Sequence, residues 1–330
     1  MAIEELASAG RTILHALGPQ RRGESGLPAR VRFHQSWFRH HVLGLEAFGS
    51  TPSHAGERAL GSILAPADAR RGFNFVASSA RALFRYRRQQ GWGVDPIRCT
   101  SHLTSSQALT LNLFGPLWSA PRWAARLMST LLNLNVRRIS GFDIEYAPQR
   151  RSAYLGDMTR IDGWLRLDTD DGPVAVVVEV KYVDRFNSRY IDPAERQQYR
   201  ALANRTQLWD LDNANTRARS VNQLLRCHAL GASTWLTEHP YDVPPRLLVI
   251  HHPDDRVAGK TVAAYREVLR HTDLLVTVSL DRFCQELLTS ARGAAQRGTA
   301  ERLLTRYVAH ELSEDLWREY LAARDAFGRV

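Results

Sequence analysis

The sequence predicts an α/β protein whose core runs helix, three strands, helix, strand, with helical N- and C-terminal extensions. Two observations carry this prediction. Apolar residues recur at helical spacing between residues 101 and 134, and from residue 138 the pattern changes to alternation. Three alternating segments then follow one another, and a helical segment and a short apolar strand come after them.

The core elements can be placed in chain order. SHLTSSQALTLNLFGPLW, at residues 101–118, predicts the first core helix. ISGFDIEYAP, MTRIDGWLRLD and VAVVVEVKY predict the three strands, and TDDGP supplies the turn between the last two. SVNQLLRCHALGA then predicts the second helix and PRLLVIHHP the strand after it.

These patterns divide the chain into three parts. Residues 1–95, which begin with a helical segment at 3–17, predict a mainly helical N-terminal extension. Residues 96–260 hold the core. Residues 261–330 predict a C-terminal extension that turns from α/β to helical and packs on the core.

The 330-residue chain is strongly basic, with a formal net charge of +10 and a sequence pI near 10.0. Residues 96–142 contain no acidic residue but five arginines. Because a phosphodiester backbone attracts cations whatever its base sequence, nucleic acid is the first partner to test. Three scattered cysteines without a CxxC pair argue against a disulfide framework or a zinc site.

No apolar stretch approaches the roughly 18 to 20 residues that span a bilayer. The first residues, MAIEELASAG, also lack the basic end and apolar run of a signal peptide. These observations predict a cytoplasmic protein without a membrane partner.

The turn at Asp170 and Asp171 fixes a register for the hairpin that VAVVVEVKY completes. A one-residue slip would mix its apolar and polar faces, which burial forbids. The apolar face contains four pairs: Ile161 with Val180, Gly163 with Val178, Leu165 with Val176 and Leu167 with Val174. The opposite face then places Asp162 across from Glu179, with Lys181 one step further along.

Lys181 is one of only two lysines in the chain, the other being Lys260, among 44 basic residues. We therefore expect Lys181 to have a chemical role at its position.

Carboxylates on neighbouring strands, about 4.8 Å apart, repel unless a cation lies between them. Mg²⁺ suits such a pair because it accepts one or two carboxylates, several waters and a substrate phosphate. Without metal, we expect a raised pKa for at least one of Asp162 and Glu179. The alternative is a structural pair that Lys181 neutralises at a sheet edge.

These residues resemble the PD-(D/E)XK nuclease superfamily, which has the restriction-endonuclease-like fold. Asp162 matches the motif aspartate, although isoleucine stands where the motif has proline, and Glu179-Val180-Lys181 matches the (D/E)-x-K triplet. The blocks SSQALTLNLFGPL, GFDIEYAP, YLGDMTRIDGW, VEVKYVDRF and QLLR resemble, more narrowly, one largely uncharacterised bacterial branch of that superfamily.

The resemblance implies hydrolysis of phosphodiester bonds, most often in DNA, with water activated at Mg²⁺, for which Mn²⁺ can substitute. It implies that Asp162 and Glu179 bind the metal and that Lys181 assists the nucleophile or the transition state. Many relatives add a carboxylate from the first core helix, which this chain lacks. Glu145 is the first choice for a third catalytic and metal-binding carboxylate, and Asp157 is the second.

Four further polar residues are candidates for support of the site or contact with phosphate. Gln107 and Asn112 lie on the first core helix, where capping or buried hydrogen bonding is an equal alternative. Gln223 and Arg226, one turn apart on the second core helix, either point towards the scissile phosphate or lie on the helix surface.

The leading hypothesis is a metal-dependent DNA nuclease. A non-catalytic DNA-binding or assembly module on the same fold is the alternative. The sequence leaves open whether two protomers act together as a homodimer.

Overall fold

The computed structural model describes residues 14–54, 56–91, 93–184, 186, 189–240 and 242–327. Most of the helix predicted at residues 3–17 lies outside them, although residues 14–16 are helical. Within these ranges, no helix combines the length and apolar composition needed to cross a membrane.

The N-terminal layer, defined here as residues 14–91, contains helices and one antiparallel hairpin. Its elements are α1 (Gly26–Trp37), β1 (Phe48–Ser53), β2 (Gly56–Leu64), α2 (Pro66–Arg71) and α3 (Ser78–Gln89). The helical pattern did not predict the hairpin. The hairpin was missed because β1 and the first half of β2 are largely exposed and polar, so their sequence shows no alternation of apolar residues.

The N-terminal layer is followed by the five strands of the central sheet and the helices between them. The elements are α4 (Pro96–Ser101), α5 (Ser106–Ser119), α6 (Pro121–Leu132), β3 (Val136–Tyr146), β4 (Ile161–Thr169), β5 (Gly172–Lys181), α7 (Gln197–Thr206), α8 (Arg219–Glu238), β6 (Arg246–His251), α9 (Arg256–Val268) and β7 (Leu275–Ser279). The chain ends in α10 (Leu280–Thr289), α11 (Ala294–Tyr307) and α12 (Glu314–Phe327). A π-helical stretch at Phe38–Val42 continues α1, and short 3-10 turns lie at Arg151–Ala153, Ala214–Arg217, Thr272–Leu274 and His310–Ser313.

The five core strands form one mixed sheet in the order β3-β4-β5-β6-β7. The first three are antiparallel neighbours, and β6 and β7 run parallel to β5. The predicted α/β class and the order helix, three strands, helix, strand are confirmed by α5, β3 to β5, α8 and β6.

Helices cover both faces of this sheet. On one face Val176, Val178 and Val180 of β5 pack in a cluster with residues of α5, α6, α10 and α11. On the other face Ala175 and Val177 pack with residues of α7, α8 and α9. Each fully buried valine contributes about 1.5–3 kcal/mol, so β5 anchors the helices on both faces of the sheet.

Buried polar groups hold the segments of the N-terminal layer together. The side chain of Arg39 is fully buried and donates to the carbonyls of Gly61, Glu46 and Ala16, which join α1, the hairpin and the chain before them. Gly61 is needed at this contact because a Cβ there would lie 1.9 Å from the Leu17 carbonyl oxygen.

Candidate active site

The candidate site lies where β4 begins, beside the carboxyl ends of β5 and β6. The pairing of β4 with β5 runs from Thr169 opposite Gly172 to Gly163 opposite Val178, in the predicted register. Glu179 and Lys181 continue β5 and pair with the parallel strand β6. The carboxyl ends of parallel strands therefore meet at this edge, which is where open α/β sheets bind ligands.

Asp162 departs from the regular ladder at this edge. Its Oδ2 accepts the N–H of Val180 at 2.8 Å, and regular pairing of the two strands stops at Gly163. The prediction that Ile161 shares the apolar face of Val180 is wrong, because Ile161 packs with Trp164 in the cluster on the other face. The side-chain bond to Val180 N–H replaces the backbone pairing that would have held Ile161 in register.

Glu179 is the most enclosed carboxylate of the site, with 1% of its surface exposed. Its Oε1 accepts from Lys181 Nζ at 2.8 Å and from Gln223 Nε2 at 2.5 Å. Among the described residues, its Oε2 receives the weaker thiol donor of Cys227, at 3.4 Å. One oxygen of Glu179 is therefore held by strong donors, and the other has no strong donor among the described contacts.

Lys181 is nearly buried and lies 5.1 Å from the centroid of the Phe186 ring. Burial alone would lower the pKa of Lys181, but the charges of Glu179 and Asp162 and the hydrogen bond to Glu179 raise it above its usual value. Lys181 is consequently a cation at neutral pH. It can stabilise negative charge or orient water, but it does not act as a general base in this state.

Glu145 has an unusual backbone conformation, with φ at +50°. Non-glycine residues rarely adopt this left-handed region, and strain of this kind clusters at functional sites. The backbone conformation of Glu145 ends the predicted alternation of β3. Ile144 packs on one face of the sheet, whereas Tyr146 stacks on Trp164 on the other face, with 5.7 Å between the ring centroids.

The Glu145 side chain lies next to the loop that precedes α4. Its Oε1 accepts from Gln107 Nε2 at 2.8 Å, and Arg87 binds its backbone carbonyl at 2.7 Å. Gly93, with φ at +117°, allows this close approach, because a Cβ there would lie 3.3 Å from the Glu145 Cβ. Gln107 is thus a support for Glu145, as one of its predicted roles required.

Electrostatic coupling links three carboxyl groups at this edge. Burial, followed by the charges of Glu179 and Glu145, raises the pKa of Asp162 well above its usual value. Burial also raises the pKa of Glu145 to about 7, and the charge of Glu179 adds to this. The predicted raised pKa of at least one opposed carboxyl is confirmed for Asp162.

These oxygens match the chemistry of a hard divalent cation, since Mg²⁺ prefers carboxylates and accepts one or two of them with waters. In the part of the chain that the structure describes, no three His, Cys, Asp or Glu side chains lie close enough together to form a metal-binding group. The geometry therefore offers a carboxylate pair, Asp162 and Glu179, with Glu145 as an electrostatic neighbour.

Asp157 and Arg226 form a buried ion pair behind this edge. Arg226 donates to both oxygens of Asp157, with Nε to Oδ2 at 2.8 Å, and the Tyr199 hydroxyl and the Thr159 N–H also donate to this carboxylate. Burial alone would raise the pKa of Asp157, but the hydrogen bonds from Arg226 and Tyr199 lower it below its usual value. The pair fills its own hydrogen-bonding capacity within the protein.

Asn112 is completely buried away from the edge. Its Oδ1 accepts from Val76 N–H at 2.9 Å, and its Nδ2 donates to the Asn74 carbonyl and to the Tyr307 hydroxyl. Of the two roles that the sequence left open, these contacts match buried hydrogen bonding.

Sequence reasoning missed Cys227 and Arg87. Cys227 lies four residues after Gln223 in α8, so the helical period that placed Gln223 near the site also places Cys227 there. Arg87 carries no comparable signal, because it reaches Glu145 from α3, 58 positions away in the chain.

A comparison with family models matches the PD-(D/E)XK nuclease superfamily over residues 22–309, which is most of the chain. Comparisons with curated proteins and with solved structures find no significant match. The family match extends well beyond the five sequence blocks and includes the N-terminal layer from residue 22. It agrees with the five-stranded mixed sheet and with the opposed Asp162 and Glu179 beside Lys181. The chain therefore belongs to the PD-(D/E)XK nuclease superfamily.

Proposed function

We propose that the protein is a metal-dependent nuclease that hydrolyses phosphodiester bonds in DNA. The observation that carries this proposal is the group formed by Asp162, Glu179 and Lys181 at the carboxyl end of β5, where two mutually repelling carboxylates lie beside a single ammonium. Family membership supports nuclease chemistry, and the net charge of +10 supports a polyanionic substrate.

Asp162 and Glu179 would hold Mg²⁺. Glu145 is the third carboxylate, and it is close enough for the charge of Glu179 to raise its pKa. When bound, the ion supplies Lewis-acid stabilisation of the phosphate and promotes ionisation of the attacking water. A cation between these groups also offsets the repulsion that raises the pKa values of Asp162 and Glu145 in the metal-free site.

The residues around the carboxylates have distinct positioning roles in this proposal. Gln223 and Lys181 fix the Oε1 of Glu179, so its Oε2 would be the oxygen available to a metal. The Val180 N–H fixes Oδ2 of Asp162, and Gln107 fixes Glu145. Pre-positioned groups of this kind lower the cost of reaching the transition state.

Lys181 would act through its own positive charge. As a cation held beside Glu179, it would stabilise the negative charge that develops on the phosphate oxygens as the bond to the leaving group breaks. Because the pKa of Lys181 is raised, the proton that leaves the attacking water goes to solvent or to a carboxylate, and not to this amine.

The decisive experiment is a cleavage screen over single-stranded, duplex and structured DNA and RNA, with Mg²⁺, with Mn²⁺ and with EDTA. We expect DNA cleavage only with metal, and a loss of about 10²-fold or more in Lys181→Ala, which is the scale of removing one transition-state stabiliser. Circular dichroism of Lys181→Ala would establish that its fold persists. A wild-type protein that cuts none of these substrates with either metal would refute the proposal.

A second candidate function is a DNA-binding or assembly module without catalysis. It is favoured by the occupied Oε1 of Glu179 and by the lack of a three-residue metal group among the described residues. Salt-sensitive DNA binding that Asp162→Asn leaves unchanged, together with a melting temperature that does not respond to Mg²⁺, would select this function over the nuclease.

A further inference from the structure

An arginine-lined cavity of about 350 Å³ lies between the N-terminal layer and the chain that follows β5. Its walls carry four arginines contributed by different segments: Arg21, Arg32, Arg58 and Arg98. Val183 and Asp184, which follow Lys181 in the chain by two and three residues, also line the cavity. Since an extended chain advances at most about 3.6 Å per residue, Asp184 lies within roughly 11 Å of Lys181.

A second cavity of about 320 Å³ lies next to the first. It shares Val183 and Asp184 with the first cavity and is also lined by Phe186. The Phe186 ring centroid lies 5.1 Å from Lys181 Nζ. The two cavities therefore lie on the same short segment, and Phe186, which lines the second cavity, contacts the cation of the candidate active site.

One arginine of the cavity is fully engaged by the protein. Arg32 donates from Nε and Nη2 to the Glu24 carboxylate, at 2.6 and 3.0 Å, and from Nη1 to the Ser62 hydroxyl at 3.1 Å. This bidentate pair neutralises Glu24 and makes Arg32 a rigid part of the wall.

The other arginines leave positive charge available to a ligand. Arg21 and Arg58 are exposed, and neither takes part in an ion pair within the described ranges. Arg98 approaches Asp184 at 3.8 Å, which is too long for a charged hydrogen bond. Two carboxylates thus oppose four guanidinium groups, and the excess charge is concentrated on Arg21 and Arg58.

We propose that this cavity binds a backbone phosphate of the nucleic-acid substrate, a few nucleotides from the scissile bond. Guanidinium groups match phosphate oxygens bidentately, and arginines from α4, β2 and the chain before α1 converge on one space. The Asp184 wall of the cavity lies within roughly 11 Å of Lys181, so a strand whose scissile phosphate lies at Lys181 can place a nearby phosphate in the cavity. The inference rests on the proposed function and gives the N-terminal layer a substrate-binding role.

The test is DNA binding without metal, so that cleavage plays no part. Labelled oligonucleotides, single-stranded and duplex, are titrated with protein in EDTA over a series of salt concentrations, with fluorescence anisotropy as the readout. For Arg21→Gln/Arg58→Gln we expect Kd at low salt to rise about tenfold and the slope of log Kd against log salt to fall by about 1 to 2. Arg292→Gln/Arg297→Gln, two exposed arginines of the α10–α11 region, is the charge-matched control and should keep the wild-type slope.

A gain-of-binding variant makes the test sharper. Asp184→Asn removes the carboxylate that competes for Arg98, and we expect its Kd for DNA to fall several-fold with a steeper salt slope. Competition with inorganic phosphate distinguishes backbone phosphate from a free anion. A site for the backbone requires excess millimolar phosphate to displace DNA, whereas displacement of DNA by phosphate at micromolar concentration would overturn the proposal.

The binding assay and the cleavage screen fail independently. Equal losses of binding in the arginine pair and its control, or an unchanged slope in both, would overturn the phosphate subsite and leave nuclease activity intact. A wild-type protein that cuts nothing, but whose DNA binding depends on Arg21 and Arg58, would refute the nuclease and retain the subsite.

Discussion

Asp157 and Asp162 lie close together in the chain, yet their carboxyl groups have opposite environments. Asp157 receives two bonds from Arg226 and one from Tyr199, and its pKa is lowered. Among the described contacts Asp162 accepts one hydrogen bond, from Val180 N–H, and burial together with the charge of Glu179 raises its pKa.

The difference teaches how to separate a structural carboxylate from a functional one. A buried carboxylate whose oxygens are filled by protein donors stabilises the fold only as long as its partner remains. A buried carboxylate that repels another carboxylate costs stability, and it persists where a cation or substrate offsets that cost. The predictions below test this contrast.

The largest expected effect comes from breaking the structural pair. Arg226→Ala leaves the Asp157 charge buried without its main donor, and we expect the free energy of unfolding to fall by about 3–5 kcal/mol. Urea denaturation followed by circular dichroism measures this loss. The control is Arg138→Ala, which removes the exposed Arg138–Asp168 pair and should cost less than about 1 kcal/mol. Equal effects of the two variants would contradict the structural role of Asp157 and Arg226.

The same chemical change at the two aspartates should have opposite effects. Asp162→Asn removes a repelling charge, so we expect metal-free protein to unfold at an equal or higher temperature while DNA cleavage falls by about 10²-fold or more. Asp157→Asn weakens the bond to Arg226, so we expect it to lower the unfolding temperature. Differential scanning calorimetry in EDTA compares the two. A loss of stability in Asp162→Asn as large as that in Asp157→Asn would remove the distinction between the sites.

Glu145 should make metal-free stability depend on pH. Its pKa is raised to about 7, so the unfolded chain releases this proton at lower pH than the folded protein does. The protonated Glu145 carboxyl therefore adds to the free energy of unfolding at low pH. This contribution is lost as the pH rises from about 4.5 to about 7, and the loss is up to about 3 kcal/mol. Glu179, Arg160 and Arg87 are the charged groups that also act on it.

The measurement is urea unfolding in EDTA across this pH range, for the wild type and for Glu145→Gln. We expect the decline to be smaller in the variant and, if Glu145 contributes to a metal site, Mg²⁺ to stabilise the wild type more at pH 8 than at pH 5. Identical pH profiles for the two proteins would show that Glu145 does not titrate as described.

The sequence predicted the parts of the site that depend on neighbouring positions in a strand. The apolar face of the hairpin predicts the register that β4 and β5 adopt up to Gly163 and Val178, and this register leads Glu179 and Lys181 to the edge where Asp162 lies. The sequence also named Gln107 and Gln223 as candidates for support of the site, with structural alternatives for each, and in the structure they donate to Glu145 and Glu179.

Features that depend on distant segments escaped prediction. The left-handed backbone of Glu145, the bond from Arg87 and the engagement of Asp157 by Tyr199 all require packing between elements far apart in the chain. The β1–β2 hairpin escaped for a different reason, because an exposed polar hairpin carries no apolar alternation.

The smallest predicted effect tests how Glu145 is held. Gln107 donates to Glu145, and this bond favours the charged carboxylate and so opposes the pKa increase that burial causes. Gln107→Met keeps a similar shape but removes the donor, so we expect the pKa of Glu145 to rise by about one further unit. The pH at which stability falls should move upward by the same amount, as measured by urea unfolding in EDTA. Gln223→Met, whose side chain contacts Glu179 instead, is the control and should shift this transition less. An unchanged transition in Gln107→Met would mean that the bond has no effect on the ionisation of Glu145.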